Sequence, residues 1–456
     1  MEDYQNQLYS LSATQVIFLI QSGKIKIRQL IESIIKRIED INPKTDALVH
    51  LNSRQSLEKA DEVDKRIKNG ENVGPLYGVP IGIKDIFNTQ DFPTEMGSPI
   101  WKGFTPGNDA RVIYYLRMAN AIIIGKTETA EFAVHTLGNS KNPYDHTRSP
   151  GTSSSGSAIA VATNMVPLAL GTQTAGSIIR PASFCGIFGF KPSFGLIPRT
   201  GMLKTTDSLD QVGYFARTVE DLQLLFDIIR VKGRDYPLSE AALNDEKRQT
   251  VTDRPWKIRF VKSPVWEQAE PYAKKAIVEF LDKISKENDF QVEEFSLPQE
   301  FNEAHKMHQI IYTKSLSYYF KQELEKKSLV SNIFYEFASQ AKDFTVSQFD
   351  QAIEYQSKIS KILDKSFEQF DIIISLSTAG HAPLRNEKEK DDPSLIWTMC
   401  GNPAINMPVV KTEEGLPMGI QTVARRYNDK LLLRFVSLLR RKGLIFDAPY
   451  PSLEIN

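Results

Sequence analysis

Two serine-containing stretches of this sequence have the residue types that acyl-transfer chemistry needs. The first, SPGTSSSGSAIA at residues 149–160, holds Ser153, Ser154, Ser155 and Ser157, and the second, GTQTAGS at residues 171–177, ends at Ser177. A serine hydroxyl becomes a nucleophile when a base removes its proton, and backbone N–H groups at a helix start can bind the resulting oxyanion. Because apolar sequence follows the first stretch at once, the pattern favours a catalytic site over a flexible Gly/Ser linker.

The base that such a serine needs is not evident among the six histidines, none of which lies in a triad-like motif. His305 and His308 lie three residues apart on a predicted helix, but without an H-E-x-x-H pattern a surface or core position is favoured over metal binding. Lys84 is an alternative base, since it ends the otherwise apolar run GVPIGIK. Burial there would lower its pKa and leave a neutral, basic amine, whereas a lysine at a strand end can also reach solvent.

Other kinds of site find little support in the sequence. It has no G-x-x-x-x-G-K-[ST] stretch and no G-x-G-x-x-G after the first predicted strand, so the glycine-rich loops are weak candidates for phosphate binding. No group of Cys and His residues has the spacing of a metal site. We therefore expect neither a metal nor an organic cofactor.

The elements that must position these residues alternate along the chain, which is typical of a sheet covered on both faces. Short apolar runs predict strands at residues 78–87, 121–127, 166–171, 257–261, 371–377, 406–410 and 419–424. Helical periodicity predicts helices at residues 53–68, 218–231, 271–288, 300–325, 346–368 and 429–441, with others after Ser153 and near Ser177. Ser12 and Gln15 predict a capping box at the start of an N-terminal helix. The expected fold class is α/β, a single large domain with a central mixed β-sheet covered by helices on both faces.

The same pattern suggests how the domain is organised. Residues 1–70 are expected to form an N-terminal helical segment packed on the core, and residues 71–456 the main domain, in which 300–368 form a variable helical cap. The polar stretch at 233–255 and the charge run RNEKEKDD at 385–392 predict exposed connections. The loop at 91–99 and part of 300–390 are expected to line the substrate pocket.

Composition and charge exclude several classes of protein. The 456 residues include 56 Lys and Arg and 56 Asp and Glu, so no net charge directs the chain to nucleic acid or anionic membranes. The apolar run VIFLI at residues 16–20 is too short to cross a bilayer, and the polar N-terminus differs from a signal peptide. Cys185 and Cys400 cannot form a disulfide framework. We therefore expect a cytoplasmic protein that binds neither nucleic acid nor membranes.

Five blocks of the sequence resemble the amidase signature family. They are GVPIGIKD, SPGTSSSGSAIAVA, GTQTAGSIIRPASFCGIFGFKP, LDQVGYFARTVED and the C-terminal pair GNPAINMPVV and GLPMGIQTVA, and the resemblance extends over about residues 10–445. It implies the amidase signature fold and the hydrolysis of a carboxylic amide to the acid and ammonia or an amine. It also implies an acyl-serine intermediate.

The resemblance further implies roles for individual residues. By position in the motifs, the nucleophile is Ser177 and the base is Lys84. The serine that bridges them is Ser153, which in the family follows a cis peptide bond. The oxyanion hole would consist of the backbone amides of Thr174, Ala175, Gly176 and Ser177. The supporting residues would be Ser154, Ser155, Ser157 and Arg180.

The match departs from the family pattern around Ser177. Ala175 stands where the family often has glycine, and alanine is harder to hold at positive φ. The glutaminase component of tRNA-dependent amidotransferases typically has Asp at the position of Gln173 and an arginine two residues after the nucleophile, whereas Arg180 lies three residues after Ser177.

This variant resembles free-standing amidases, and we expect a monomer or homodimer that acts on a small-molecule amide. The alternative is a glutaminase (A-type) subunit of a tRNA-dependent amidotransferase, which would need a partner subunit. A catalytically inactive binding protein is disfavoured, because all three catalytic positions hold the residues that the family pattern requires.

Overall fold

The structure, a computed structural model, describes residues 7–448. At its centre lies one sheet of 11 strands. The strands are β1 (Leu48–Leu51), β2 (Pro80–Lys84), β3 (Ile122–Thr127), β4 (Leu168–Gln173), β5 (Phe188–Lys191), β6 (Gln211–Ala216), β7 (Trp256–Val261), β8 (Phe290–Phe295), β9 (Ile372–Leu376), β10 (Ala404–Lys411) and β11 (Pro417–Ala424).

The sheet is mixed, with the strand order β1-β3-β2-β4-β6-β5-β10-β11-β9-β7-β8. Strand β2 runs parallel to β3 and β4, and β7 runs parallel to β8 and β9. The other neighbouring pairs are antiparallel. Because β2, β3 and β4 are parallel, their last residues, Lys84, Thr127 and Gln173, lie at the same edge of the sheet. Ligands of such sheets commonly bind at the carboxyl ends of the strands.

Helices cover both faces of this sheet. Every residue of β2, β3, β4, β6, β9 and β11 is buried, although successive side chains point to opposite faces. Between residues 7 and 448 the α-helices are α1 (Ala13–Gln21), α2 (Ile27–Thr45), α3 (Ser53–Lys68), α4 (Arg111–Met118), α5 (Ser155–Ala162), α6 (Ile179–Phe184), α7 (Val219–Ile229), α8 (Pro237–Asn244), α9 (Glu246–Gln249), α10 (Pro271–Ser285), α11 (Ala304–Tyr319), α12 (Lys321–Glu325), α13 (Asn332–Ser339), α14 (Val346–Ser366), α15 (Leu395–Met399) and α16 (Asp429–Arg441).

The fold class predicted from the sequence, a single α/β domain around a mixed sheet, is confirmed. The seven predicted strands correspond to β2, β3, β4, β7, β9, β10 and β11. The pattern missed β1 and β5, which are only four residues long, and β6, whose apolar run is interrupted by a glycine. It also missed β8, because this strand at the sheet edge has two glutamates and is mostly not buried.

The polar stretch at 233–255 is largely exposed, as expected, but it is not a plain connection. It contains α8 and α9, and Leu243 and Gln249 are buried. The Gln249 side-chain amide donates to the Ala242 carbonyl at 2.9 Å and to the Tyr427 carbonyl at 2.7 Å. The stretch is therefore attached to the loop that precedes α16. The helix predicted at 300–325 is likewise divided, into α11 and α12, at Phe320.

The N-terminal segment at 1–70 is not helical throughout. Its described part contains α1, α2 and α3, but β1 also joins the sheet by antiparallel pairing with β3. Helix α1 begins at the predicted capping box of Ser12 and Gln15. The Asp221 carboxylate accepts hydrogen bonds from the backbone N–H groups of Ala13 and Thr14, at 2.8 and 2.9 Å, and attaches α1 to α7. The boundary at residue 70 stays a prediction.

Two further features concern the cysteines and the apolar character of the helices. Cys185 and Cys400 are both buried and not joined to each other. In the range from residue 7 to 448, no helix combines the length and the apolar character that crossing a membrane requires.

Candidate active site

Lys84, the last residue of β2, is completely buried and lies among hydroxyl groups. Its Nζ is 2.8 Å from Ser153 Oγ, 3.0 Å from Ser154 Oγ and 2.9 Å from Thr172 Oγ1. The alternative in which this lysine reaches solvent from the strand end is therefore wrong. The structure brings Lys84 and the serine stretch together across 69 residues of sequence.

The environment of Lys84 favours its neutral form. Burial lowers the pKa of Lys84 to about 7, although the carboxylates of Glu128 and Asp210 act in the opposite direction and raise it. An ammonium group loses its hydration on burial, and the neutral amine loses much less. Near neutral pH a large share of Lys84 is therefore able to accept a proton.

The loop that precedes α5 presents Ser153 to the lysine. Gly151 has a φ of +84°, and a Cβ at this position would lie 2.8 Å from the Pro181 Cα atom. Only glycine combines this conformation with so close an approach. The peptide bond between Thr152 and Ser153 is cis.

The other serines of the stretch attach this loop to the sheet. The Ser154 hydroxyl donates to the Thr172 carbonyl at 3.1 Å and accepts from the Thr172 N–H at 3.2 Å. The Ser155 hydroxyl donates to the Glu128 carboxylate at 2.5 Å. The Ser157 hydroxyl donates to a main-chain carbonyl of β4 at 2.7 Å. All three side chains are buried, so these hydrogen bonds hold the loop in place.

Ser177 lies in the turn between β4 and α6. The Gln173 side-chain oxygen accepts hydrogen bonds from the backbone N–H groups of Ile178 at 2.8 Å and Ile179 at 2.9 Å. It thus provides an acceptor for two N–H groups that have no partner within the first turn of α6. By contrast, no backbone N–H from residue 174 to 177 donates a hydrogen bond to any other described residue. None of these four N–H groups is therefore committed to an acceptor within residues 7–448.

The alanine in this turn causes no conformational conflict. Neither Ala175 nor Gly176 has a positive φ, so the glycine that the family often has at residue 175 is not required here. Ser177 itself is 7% exposed. Within the described part of the chain its hydroxyl has no hydrogen-bond partner, and so the structure shows no bond between it and the Ser153 hydroxyl.

The charge run at 385–392 is for the most part an exposed connection, as expected, but Asp392 is buried against the Ser177 turn and Glu389 is half-buried. A Cβ on Gly176 would lie 1.5 Å from Asp392 Oδ2, so this carboxylate packs directly against the turn. Glu389 and Asp392 both pair with Arg180, the latter at 3.4 Å. Burial lowers the pKa of Arg180, but the two carboxylates outweigh it and raise this pKa overall. No sequence pattern indicates the pairing, because Glu389 and Arg180 are 209 residues apart.

The two histidines that were considered as metal ligands contact main-chain atoms beside this turn. His308 is buried, and its Nε2 lies 2.9 Å from the Thr174 carbonyl oxygen. Burial lowers the pKa of His308 to about 4, so the neutral ring donates its Nε2 proton to this carbonyl. His305 Nε2 lies 3.1 Å from the Asp392 carbonyl oxygen. Among residues 7–448, no three His, Cys, Asp or Glu side chains are grouped as metal ligands.

Two cavities are lined by residues that contact the Ser177 turn or the serine loop. One of about 350 Å³ is lined by Arg180, Asp392 and the segment at 378–393. The other, of about 320 Å³, is lined by Glu128 and by Glu95 and its neighbours to Pro99. The loop at 91–99 therefore lines a cavity on the Glu128 side, and the end of the 300–390 region lines one on the Arg180 side.

Comparison with known proteins identifies relatives over nearly the whole chain. The family model Amidase matches residues 29–433. An A-type subunit of the glutamyl-tRNA(Gln) amidotransferase of Clostridium acetobutylicum is 31% identical, over 93% of this chain and 96% of its own length.

Solved structures show the same fold. A crystal structure of an amidase superposes with a TM-score of 0.84 at 24% identity, covering 95% of this chain and 100% of the other. The peptide amidase of Stenotrophomonas maltophilia gives a TM-score of 0.81 at 23% identity, with 98% and 100% covered.

Proposed function

The chain belongs to the amidase signature family, whose members hydrolyse carbon–nitrogen bonds of amides, and we propose that it is a free-standing amidase. In this proposal it converts a carboxylic amide to the acid and ammonia or an amine through an acyl-serine intermediate. The observation that carries the proposal is the buried Lys84 amine, 2.8 Å from the Ser153 hydroxyl, beside a turn whose four backbone N–H groups donate to no described residue.

The three contacts of Lys84 suit a neutral amine as well as an ammonium that donates to all three hydroxyl oxygens. Such an amine has two N–H donors and one lone pair, whereas an ammonium has three donors and no acceptor. The Ser154 hydroxyl already donates its proton to the Thr172 carbonyl, so it accepts from Lys84. In the neutral form, with Thr172 Oγ1 as the second acceptor, the lone pair would be directed to the Ser153 hydroxyl.

We propose that this arrangement activates Ser177 through a relay. Lys84 takes the proton of the Ser153 hydroxyl, and Ser153 takes the proton of Ser177 as the Ser177 oxygen attacks the amide carbonyl carbon. The relay needs the two serine hydroxyls to come within hydrogen-bond distance in the substrate complex. The backbone N–H groups of residues 174–177 would stabilise the negative charge on the carbonyl oxygen.

The second half of the reaction uses the same groups in reverse. The proton passes back from Lys84 through Ser153 to the leaving nitrogen, and the carbon–nitrogen bond breaks. A water molecule then attacks the acyl-serine carbonyl carbon while Ser153 and Lys84 accept its proton. The bond between this carbon and Ser177 Oγ breaks, the proton returns through Ser153 to Ser177 Oγ, and the acid is released. Arg180, held by Glu389 and Asp392, would support the Ser177 turn from the side of the larger cavity. No step of this scheme requires a metal or an organic cofactor.

A glutaminase subunit of a tRNA-dependent amidotransferase is the second candidate function. The relative from Clostridium acetobutylicum bears that name, and so do others at about 30% identity, which favours this candidate. Two features favour the free-standing enzyme instead: the position of Arg180, and Gln173 in place of the aspartate typical of the glutaminase component. For a free-standing enzyme we propose a monomer or homodimer in the cytoplasm, where the two unpaired cysteines would remain reduced.

Ammonia release by the purified chain separates the two candidates. The chain alone is tested on a panel of aliphatic, aryl and amino-acid amides, including glutamine, with Ser177→Ala as the matched control. We expect hydrolysis of at least one simple amide by the wild type and none by the variant. A chain inert on every simple amide that releases ammonia from glutamine only with an amidotransferase partner subunit would establish the second candidate. Inertness under both conditions would contradict both.

A further inference from the structure

Glu128 is a buried carboxyl group that the reaction scheme does not use. It follows β3 directly and is 7% exposed. Its Oε2 atom accepts hydrogen bonds from the Ser155 hydroxyl at 2.5 Å and from the Ser140 hydroxyl at 2.8 Å. Ser155 is adjacent in sequence to Ser154, whose hydroxyl contacts Lys84 Nζ. A carboxyl group buried this deeply and bonded this closely to the serine loop is placed to influence it.

The backbone around Glu128 also holds the serine loop. The Glu128 carbonyl accepts from the Gly156 N–H at 3.2 Å, and the Ala130 N–H donates to the Ser153 carbonyl at 3.2 Å. A Cβ on Gly156 would lie 2.4 Å from the Glu128 nitrogen, so the two segments are in direct main-chain contact. The loop that presents Ser153 is therefore attached to residues 128–130 at both of its ends.

The charge of Glu128 acts on Lys84. Burial raises the pKa of Glu128 overall, although the hydrogen bonds from the Ser155 and Ser140 hydroxyls and the charges of Arg385 and Lys84 act to lower it. In turn, Glu128 and Asp210 are the two carboxylates that oppose the effect of burial on the pKa of Lys84. Asp210 is engaged elsewhere, since its carboxylate accepts from the Thr174, Thr205 and Thr206 hydroxyl groups.

We propose that Glu128 is a positioning residue of this site, which holds the serine loop through Ser155 and whose negative charge stabilises the ammonium form of Lys84. Glu128 thereby raises the pH at which the lysine becomes a base, against the effect of burial. The inference rests on the proposed function, because it needs Lys84 to act as the base. It adds a residue that neither the motifs nor the relay itself identify.

The pH dependence of kcat/KM in Glu128→Gln tests this role. Both serine hydroxyls donate to one oxygen of Glu128, and the glutamine carbonyl oxygen can accept both, so the variant removes the charge alone and Lys84 should lose its proton more readily. We expect the midpoint of the acidic limb to move to lower pH by about 0.5 to 1 unit. The matched control is Glu131→Gln: Glu131 is equally buried and accepts from the Ser331 N–H, but it is not among the charges that act on Lys84. Its midpoint should equal that of the wild type.

A second variant tests the same claim without a change at residue 128. Ser140→Ala removes one hydrogen bond that favours the Glu128 carboxylate, so the midpoint should move in the same direction by a smaller amount. A midpoint unchanged in both variants, with or without a lower plateau, would overturn the inference and leave Glu128 as a structural residue only. An inactive wild type would instead contradict the proposed function, so the two failures are distinguishable.

Discussion

At the scale of single residues, the proposed mechanism depends on a lysine whose burial favours its neutral form near neutral pH. Lys84 has no exposed surface, and its Nζ atom lies within hydrogen-bond distance of three hydroxyl groups. Arginine could not replace it, because a guanidinium keeps its proton even when buried. The serine hydroxyls alone would not suffice, since none of them is a base at neutral pH.

The charge state of Lys84 predicts the pH dependence of the reaction. Because only the neutral amine accepts the Ser153 proton, and burial lowers its pKa to about 7, kcat/KM should rise through about pH 7 and level off above it. Lys84→Ala should lower amide hydrolysis on the order of 10²- to 10⁴-fold, and Lys84→Arg should be no better. The rate of ester hydrolysis should fall less than that of amide hydrolysis in Lys84→Ala, because the leaving group of an ester needs less protonation.

These expectations are checked by pH–rate profiles of the wild type and both variants on matched amide and ester substrates. Circular dichroism of the variants serves as the control for folding. If Lys84→Ala kept the wild-type amide rate and profile, Lys84 would be merely structural.

At the scale of secondary structure, three parallel strands and the turns that follow them assemble the site. β2 ends at Lys84, β3 leads into Glu128, and β4 leads into the turn with Ser177. The segment at 385–392 closes against this turn, and α11 contacts it through His308. We propose that residues 300–368, which contain α11 to α14, form a helical cap beside the site.

The close contact between Gly176 and Asp392 predicts a specific defect. A Cβ in Gly176→Ala would meet Asp392 Oδ2 at 1.5 Å, so the turn or the carboxylate must shift. Loss of one oxyanion-binding N–H typically costs about 10²- to 10³-fold in rate, and we expect a decrease of this order in kcat/KM. Asp392→Ala removes the obstructing carboxylate. The increase in activation free energy, calculated from kcat/KM, should therefore be smaller in the double variant than the sum of the increases in the two single variants.

The measurement is a double-mutant cycle on kcat/KM with the wild type, both single variants and the double variant. Thermal unfolding of each protein shows whether a loss of activity reflects a loss of folding. Strict additivity would contradict the contact as the cause of the defect.

At the scale of the whole molecule, local features can be predicted from the sequence more readily than distant contacts. The serine stretch, the turn at Ser177 and the strand with Lys84 are each contiguous, so residue type and apolar pattern were enough to place them. Which charged residues are buried could not be predicted in this way. Glu389 and Asp392 lie in a run that is typical of exposed loops, and only the folded chain brings them to Arg180.

Glu128 was missed for a related reason. It stands in a short polar segment after β3, and its partners Ser140 and Ser155 are 12 and 27 residues away. A carboxyl group between two polar neighbours in sequence carries no sign of burial. Four strands were missed as well: β1 and β5 are too short to show a clear pattern, a glycine interrupts β6, and β8 lies at the sheet edge and is mostly not buried.

Covalent trapping tests most directly whether Ser177 is the residue that becomes acylated, on which the proposed mechanism depends. The protein is treated with a fluorophosphonate, and the modified peptide is identified by mass spectrometry, with Ser177→Ala and Ser153→Ala as controls. We predict the label on Ser177 in the wild type, no label in Ser177→Ala, and slower labelling of the same serine in Ser153→Ala. A label on Ser153, with Ser177 unmodified, would contradict the proposed mechanism.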